Sequence, residues 1–305
     1  MSRTVPAAAA TVLAGGAAVL AYSMWEATQY TLRRFDVAVL PPGSTPLRVL
    51  HISDLHLTPD QPAKSAWVRA LGDLEPDLVV DTGDNLSHRD AVPVVLDALE
   101  PLLERPGVFV MGSNDYYAPQ IKNPLRYLAP GPARRLHGDP LPVDDLRAGF
   151  VASGWVDLDN ARATVKAGDR SIELVGVDDP HIFRDRYETV AGPNDPAADT
   201  TLGVTHAPYR RVLDAMVADS IPLLLAGHTH GGQVCLPGWG ALTTNCDLPP
   251  RQAKGVSHYR GSWLHVSAGL GCSPYTPVRL ACRPEASLLT LVAADGASEG
   301  PDLLG

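Results

Sequence analysis

The chain has little that would bind nucleic acid and little that would staple it together. Its 25 lysines and arginines are outnumbered by 34 aspartates and glutamates, for a formal charge of −9 over 305 residues. Phosphate-backbone binders usually carry the opposite imbalance as a basic stripe, so no nucleic-acid partner is expected. A local positive centre, such as bound metal, would still attract an anion. Only four cysteines occur, Cys235, Cys246, Cys272 and Cys282, and none falls in a CxxC pair. That argues against a structural zinc site. Free thiols are the default reading, and one or two disulfides stay open for an exported domain. There is no internal repeat. At 45% hydrophobic and 19% charged, the composition is not that of a disordered chain. The 28 prolines, about double the usual share, predict many ordered loops.

Charge is missing altogether from residues 5–24, VPAAAATVLAGGAAVLAYSM. That run is about the ~20 residues a membrane helix needs. The favoured reading is an uncleaved membrane anchor, with the membrane as partner; a cleavable signal ending near Ala21-Tyr22-Ser23 and an alanine-rich helix packed on the domain are the alternatives. Arg33 and Arg34 follow the run, whereas only Arg3 and the chain amine precede it. The positive-inside bias of such flanks leans toward a folded domain on the cytosolic side.

After Leu40, the stretch PPGSTP reads as a linker of turn formers. Strands and helices then alternate. Strands are predicted at 47–53, 78–82, 108–111, 172–177, 202–205, 223–226, 263–267, 278–282 and 286–292. Trp67, Val68, Leu71 and Leu74 mark one helical face. Val92, Val95, Leu96, Leu99, Leu102 and Leu103 mark another, with Asp90 as its N-cap. Tyr209, Val212, Leu213, Met216 and Val217 recur at helical spacing. Residues 117–146 are proline-rich and read as an irregular surface insertion. The β-α-β-α-β order predicts parallel strands with helical crossovers, in an α/β domain built on two packed sheets.

The polar residues at the end of each apolar run carry the chemistry. Asp54 and His56 close the first; Gly83, Asp84 and Asn85 the second; Gly112, Ser113, Asn114 and Asp115 the third. His206 comes directly after LGVT, and Gly227, His228 and His230 come after LLLA. In α/β sheets the carboxyl ends of strands converge on the ligand crevice. A lone Asp-x-His is more often a surface turn, and a lone histidine more often a structural one. Five such strand ends together point to one divalent-metal site of imidazoles and carboxylates, suited to Mn, Fe or Zn.

These blocks, in this order, resemble those of the calcineurin-like metallophosphoesterases, from about residue 46 to 292. The tail SAGLGCSPYTPVRLACRPE is similar to that of the membrane-associated, YkuE-like bacterial branch. The resemblance implies a four-layer α/β/β/α sandwich, here preceded by an N-terminal apolar helix. Residues 1–40 read as apolar segment and linker, 46–295 as the catalytic domain and 296–305 as a flexible tail. The resemblance also implies two divalent metal ions. Asp54, His56 and His230 would hold the first, His206 and His228 the second, and Asp84 would bridge them. Such a pair clamps the entering and leaving oxygens of an in-line displacement and supplies hydroxide at neutral pH. The implied function is hydrolysis of a phosphate ester or phosphoanhydride, on a phosphorylated small molecule or lipid, with nucleotide- and lipid-linked esters as the natural candidates near a bilayer. The alternative is a non-catalytic metal-binding scaffold on the same fold.

The third block departs from the family's glycine, asparagine, histidine, then acid. Ser113 and Asn114 stand where asparagine and histidine are usual. Without a gap, Ser113 takes the metal position; with the loop bulged by one residue, Asn114 does. The second reading is preferred, because an amide oxygen is the better ligand for a hard cation. Either way the histidine that meets the phosphate is missing. His181 in DDPHIF and His88 in GDNLSHRD are the candidate proton donors, and Arg89 and Arg184 the candidate phosphate contacts. For each of these four, a solvated loop residue is the plainer alternative. Asp178 and Asp179 are candidates for shaping the rim.

Overall fold

The computed structural model of the chain describes residues 4–120 and 138–294. A helix, α1 (Thr4–Glu26), leads into strand β1 (Thr31–Leu40). Among the described residues no helix is long and apolar enough to cross a membrane. The chain then alternates through β2 (Leu47–Ile52), α2 (Pro62–Arg69), β3 (Leu78–Asp81), α3 (Val92–Leu103) and β4 (Gly107–Phe109). After a one-turn helix, α4 (Ser113–Tyr116), come α5 (Val143–Ala152), β5 (Val156–Asp157), β6 (Arg162–Ala167), β7 (Arg170–Val177), β8 (Thr200–Thr205), α6 (Arg210–Ala218) and β9 (Leu223–Ala226). A small hairpin of β10 (Cys235–Leu236) and β11 (Gly240–Ala241) precedes β12 (Gly255–Tyr259), β13 (Ser262–Val266) and β14 (Glu285–Ala293).

Two six-stranded sheets result, ordered β1-β14-β2-β3-β4-β5 and β12-β13-β9-β8-β7-β6. The run β2 to β5 is parallel, as is β7-β8-β9-β13, and the mixed pairs lie toward the edges. Strands buried on both faces need apolar residues in succession, and these have them. The pleat then sorts alternate residues to opposite faces. Val49, Leu78, Val80, Val108, Ile172, Leu174, Leu223 and Leu225 pack between the sheets. Leu50, Ile52, Val79 and Phe109 face α2, α3 and α5 on one outer side. Val175, Val177, Leu224 and Leu264 face α6 on the other. The three apolar layers give the order helices, sheet, sheet, helix.

Several local expectations need revising. Residues 31–40, read as linker, form β1 and pair in parallel with β14 over almost the whole length of both. Their two arginines and one aspartate mask a strand that buries only Val37 and Leu40 fully, as suits an edge. Residues 278–282 form no strand; a single bridge, Val234 to Leu280, is all they make. The N-cap of α3 is Ala91, with no side-chain cap bond, and Asp90 is exposed. The insertion closes sooner than expected, because α5 begins at Val143 on buried Leu146 and Phe150. Its residues 121–137 lie outside the described residues, as does the tail 296–305. All four cysteines are free thiols.

Candidate metal centre

Three of the strands that end at the same edge of the two sheets, β2, β3 and β9, deliver their polar residues by a sharp reversal of the backbone. Asp54, His56, Asp84, His228 and His230 all have φ between +42° and +68°. This left-handed region is uncommon for residues with a Cβ, and such strain gathers at functional sites. Two glycines leave room for the convergence. A Cβ on Gly227 would lie 1.8 Å from Ser53 Oγ and 2.7 Å from Asp54 Oδ2. One on Gly112 would lie 2.3 Å from Asp84 Oδ1 and 2.6 Å from His206 Cε1.

The side chains meet in two overlapping donor groups, Asp54–His56–His230 and Asp54–Asp84–His206, each with ligand atoms within 4.8 Å of one another. Asp54 is common to both. Asp84 Oδ2 stands 3.6 Å from His56 Nε2 and 3.5 Å from His206 Nε2, one atom from each group. His56 Nε2 lies 3.3 Å from His230 Nε2. The far sides of the rings fix their orientation. His206 Nδ1 donates to the Thr82 carbonyl at 2.7 Å, across from one sheet to the other. His230 Nδ1 donates to the Gly271 carbonyl at 3.1 Å, and His56 Nδ1 meets Ser87 Oγ at 3.1 Å. A ring that donates from Nδ1 presents a bare Nε2, which is how protein imidazoles are set up for metals.

His228 is held by its backbone, whose N–H donates to Asp54 Oδ2 at 3.0 Å. Its Nε2 faces the Asn245 carbonyl at 3.3 Å, and its ring centroid is 5.2 Å from that of His206. Asn114 does reach the cluster. Its backbone N–H donates to Asp84 Oδ1 and its side-chain Nδ2 to Asp84 Oδ2, both at 2.7 Å. His181 lies at the border, its ring centroid 4.3 Å from that of His228 and its Nδ1 3.0 Å from the Tyr209 hydroxyl. His88 is not brought in. It is exposed and its Nδ1 accepts from the Asp90 N–H at 3.1 Å. Arg89 is exposed as well. Arg184 donates from Nε to Asp178 Oδ2 at 2.8 Å and stacks 4.1 Å over the Tyr116 ring.

The electrostatics favour a cation. Burial lowers His56 to about 4 and holds His228 and His230 well below the usual range, which favours the neutral form of all three rings. Burial raises Asp54 to about 6, against the pull of His206. Burial alone would lower His206, but Asp84 and Asp179 outweigh it and hold the ring well above its ordinary value. Asp84 is in turn driven well below its ordinary value, His206 overcoming burial. His206 Nε2 is also a buried atom with no hydrogen-bond partner. An imidazole nitrogen that close to Asp84 without a hydrogen bond, in a group with two carboxylates, suits exchange of its proton for a divalent ion.

Several residues support the site from behind. Asp115 accepts from the backbone N–H groups of Asp84, Asn85, Leu86 and Gly112 at 2.7 to 3.1 Å, and so ties two blocks together. Ser53 donates to Asp54 Oδ2 at 2.6 Å. Arg279 is fully buried and donates to the carbonyls of Ala268, Gly269 and Gly271, the loop that orients His230. Asp115 was visible within its block, but the role of Arg279 depends on a fold-level contact no spacing records.

A family model described as calcineurin-like phosphoesterase matches residues 47–232. The chain belongs to the calcineurin-like phosphoesterase family. It is a hydrolase acting on phosphate esters, with the YkuE-like bacterial proteins among its relatives. The metallophosphoesterase YkuE of Bacillus subtilis (strain 168) is 26% identical over 305 residues, covering 93% of both chains. The phosphodiesterase YaeI of Escherichia coli (strain K12) is 27% identical over 268 residues, covering 86% of this chain and 88% of its own. The Bos taurus transmembrane protein with metallophosphoesterase domain is 27% identical over 261 residues, covering 84% of this chain. The chain spans 55% of that longer relative. The calcineurin-like blocks named from the sequence fall inside the matched region, from Asp54 to His230.

Proposed function

We propose that this phosphoesterase works with two divalent ions, drawn from Mn, Fe or Zn. Asp54, His56 and His230 would hold one, His206 and His228 the other, and Asp84 would lie between them. The observation that supports this most directly is the pair of donor groups sharing Asp54, with Asp84 Oδ2 within 3.6 Å of a histidine nitrogen from each. Such ions supply Lewis acidity toward phosphoryl oxygens and lower the pKa of water from ~16 toward ~7.

The chain's own residues supply the rest. Asn114 sits on Asp84 and completes the second group once its amide oxygen, rather than its nitrogen, faces the centre. His181, its ring against that of His228 and its Nδ1 beside the Tyr209 hydroxyl, takes the place of the missing third-block histidine as proton donor. Arg184, half-exposed above Tyr116, offers its outer guanidinium nitrogens to a phosphate oxygen. Neither His88 nor Arg89 has a part.

The substrate is a phosphate ester or anhydride on a lipid or a small molecule, with no nucleic acid involved. A membrane setting is supported by the uncharged run at 5–24 and by the name of the bovine relative, a transmembrane protein. The flanking Arg33 and Arg34 favour the cytosolic side. The test is the metal content of purified protein together with Mn²⁺-dependent hydrolysis of mono- and bis-(nitrophenyl) phosphate. Asp84→Asn is expected to lose metal and to lower turnover at least ~10²-fold. Full metal content and full rate in that variant would refute the assignment.

A further inference from the structure

Most large apolar side chains exposed among the described residues gather on three stretches that carry no charge. The hairpin β10–β11 leaves Leu236 47%, Trp239 81% and Leu242 54% exposed. Residues 227–246 around it contain no Asp, Glu, Lys or Arg. The loop at 269–278 is also uncharged and leaves Tyr275 54% exposed. The last turns of α1 expose Tyr22, Met24 and Trp25, each at 46–50%, and residues 4–25 carry no charge. In a chain that is 19% charged, three such stretches side by side are a property of one surface.

Hydrogen bonds show that they are side by side. Leu280 N–H donates to the Gln233 carbonyl at 3.0 Å and Cys235 N–H to the Leu280 carbonyl at 2.8 Å. Gln233 Nε2 donates to the carbonyls of Thr276 and Val278. Arg279 N–H donates to the Ser23 carbonyl of α1 at 2.9 Å, and Ala281 N–H to Glu26 Oε2 at 2.9 Å. The hairpin, the 269–278 loop and the end of α1 are thus one laced unit. The same unit carries the metal centre's border, since His228 faces Asn245, just past the hairpin, and His230 faces Gly271.

We propose that this unit is a bilayer-docking rim, with Trp239 and Tyr275 at the lipid–water boundary and the mouth of the metal centre turned to the membrane surface. Three features select a lipid surface over a protein partner. The rim lacks the charged residues that fix register with a protein partner. It offers Trp and Tyr, the side chains favoured at headgroup depth. It is continuous with the end of α1, where residues 4–25 carry no charge. The docking deepens the membrane setting proposed above and rests on it, but it does not depend on the catalytic reading.

Full-length protein is mixed with phosphatidylcholine vesicles brominated on the acyl chains, and tryptophan emission is followed. The chain has five tryptophans, so Trp239→Phe separates the outcomes. If Trp239 enters lipid, the variant loses a quenched component and the quenched fraction falls. If only α1 inserts, the variant loses an unquenched component and the fraction rises, which overturns the proposal. Binding through an uncharged rim is expected to change less than about twofold between roughly 0.05 and 0.5 M salt, because screening acts on charges alone. Self-association without vesicles that vanishes in L236S/W239S/L242S would assign the rim to a second copy of the chain and also overturn it. Nitrophenyl-phosphate hydrolysis, unchanged in these variants, verifies that the fold is intact and reads the catalytic proposal separately.

Discussion

The centre turns on where single side chains place single atoms. Asn114 is the residue that departs from its family and still touches the site, its Nδ2 2.7 Å from Asp84 Oδ2. Asn114→Ala is expected to weaken binding of the second metal by about 10- to 100-fold and to lower turnover in parallel. Titration with Mn²⁺ monitored by calorimetry checks it, and an unchanged isotherm would return the position to Ser113. His181 is a different kind of residue. It sits against His228 and is tied to Tyr209, so its loss should spare metal binding. His181→Ala is expected to slow an alkyl phosphate by ~10²-fold or more and a nitrophenyl ester much less, because nitrophenolate leaves without a proton. Equal losses on both substrates would remove His181 as the acid. The blocks were legible because each is a short local pattern at the end of an apolar run, three of them with a glycine one to three residues before a ligand. Between His181 and His88 the sequence could not choose. Both follow an aspartate-containing turn, and only the packing of the 179–182 turn against His228 separates them.

At the scale of whole elements, the fold was readable wherever burial forces a period on the sequence. β2, β3, β7, β8 and β9 are buried on both faces and mostly apolar, and α3 and α6 repeat at helical spacing. β1 escaped because an edge strand needs only part of that pattern: it carries Arg33, Arg34 and Asp36 and buries just two side chains fully. The reverse error came at 278–282, where an apolar-looking stretch runs beside the backbone of Gln233 and Cys235 for a single bridge. There buried Arg279 directs its donors to loop carbonyls, not to a ladder. If β1 is part of the catalytic fold, as its pairing with β14 indicates, its inward residues should be costly to cut back. Leu40 is 1% exposed and packs between the sheets. Leu40→Ala is expected to lower the unfolding free energy by about 2–5 kcal/mol, measured by urea denaturation of the full chain. A loss under ~0.5 kcal/mol, the scatter of ordinary surface changes, would place 31–40 outside the cooperative unit.

The two sheets are also joined by polar contacts, and one of these gives the molecule a predictable response to acid. His51 on β2 and His265 on β13 face each other across the sandwich, Nδ1 to Nδ1 at 2.8 Å, with His51 Nε2 2.9 Å from Thr82 Oγ1. Both rings are fully buried. Burial, helped by its neighbour, holds His51 well below 6.5, and burial lowers His265 to about 3. The pair can share one hydrogen bond only while both rings are neutral or one is charged, and the interior opposes the charge. In the unfolded chain each ring takes a proton near pH ~6.5. Below that value the unfolded state binds more protons than the folded one, so stability falls as pH falls; above it the contribution is constant. The slope is roughly 1.4 kcal/mol per pH unit for each ring. Buried carboxyls such as Asp81, raised to about 8 by burial, act with the opposite sign, so the histidines must be isolated by difference. His51→Gln/His265→Gln keeps a hydrogen-bonding pair that does not titrate. Between about pH 6 and 5 the native chain is expected to lose up to about 2.7 kcal/mol more than this variant, read from urea midpoints and slopes at each pH. Parallel pH profiles would mean that the rings take up their protons in the folded state, which the packing of the two sheets around them does not allow.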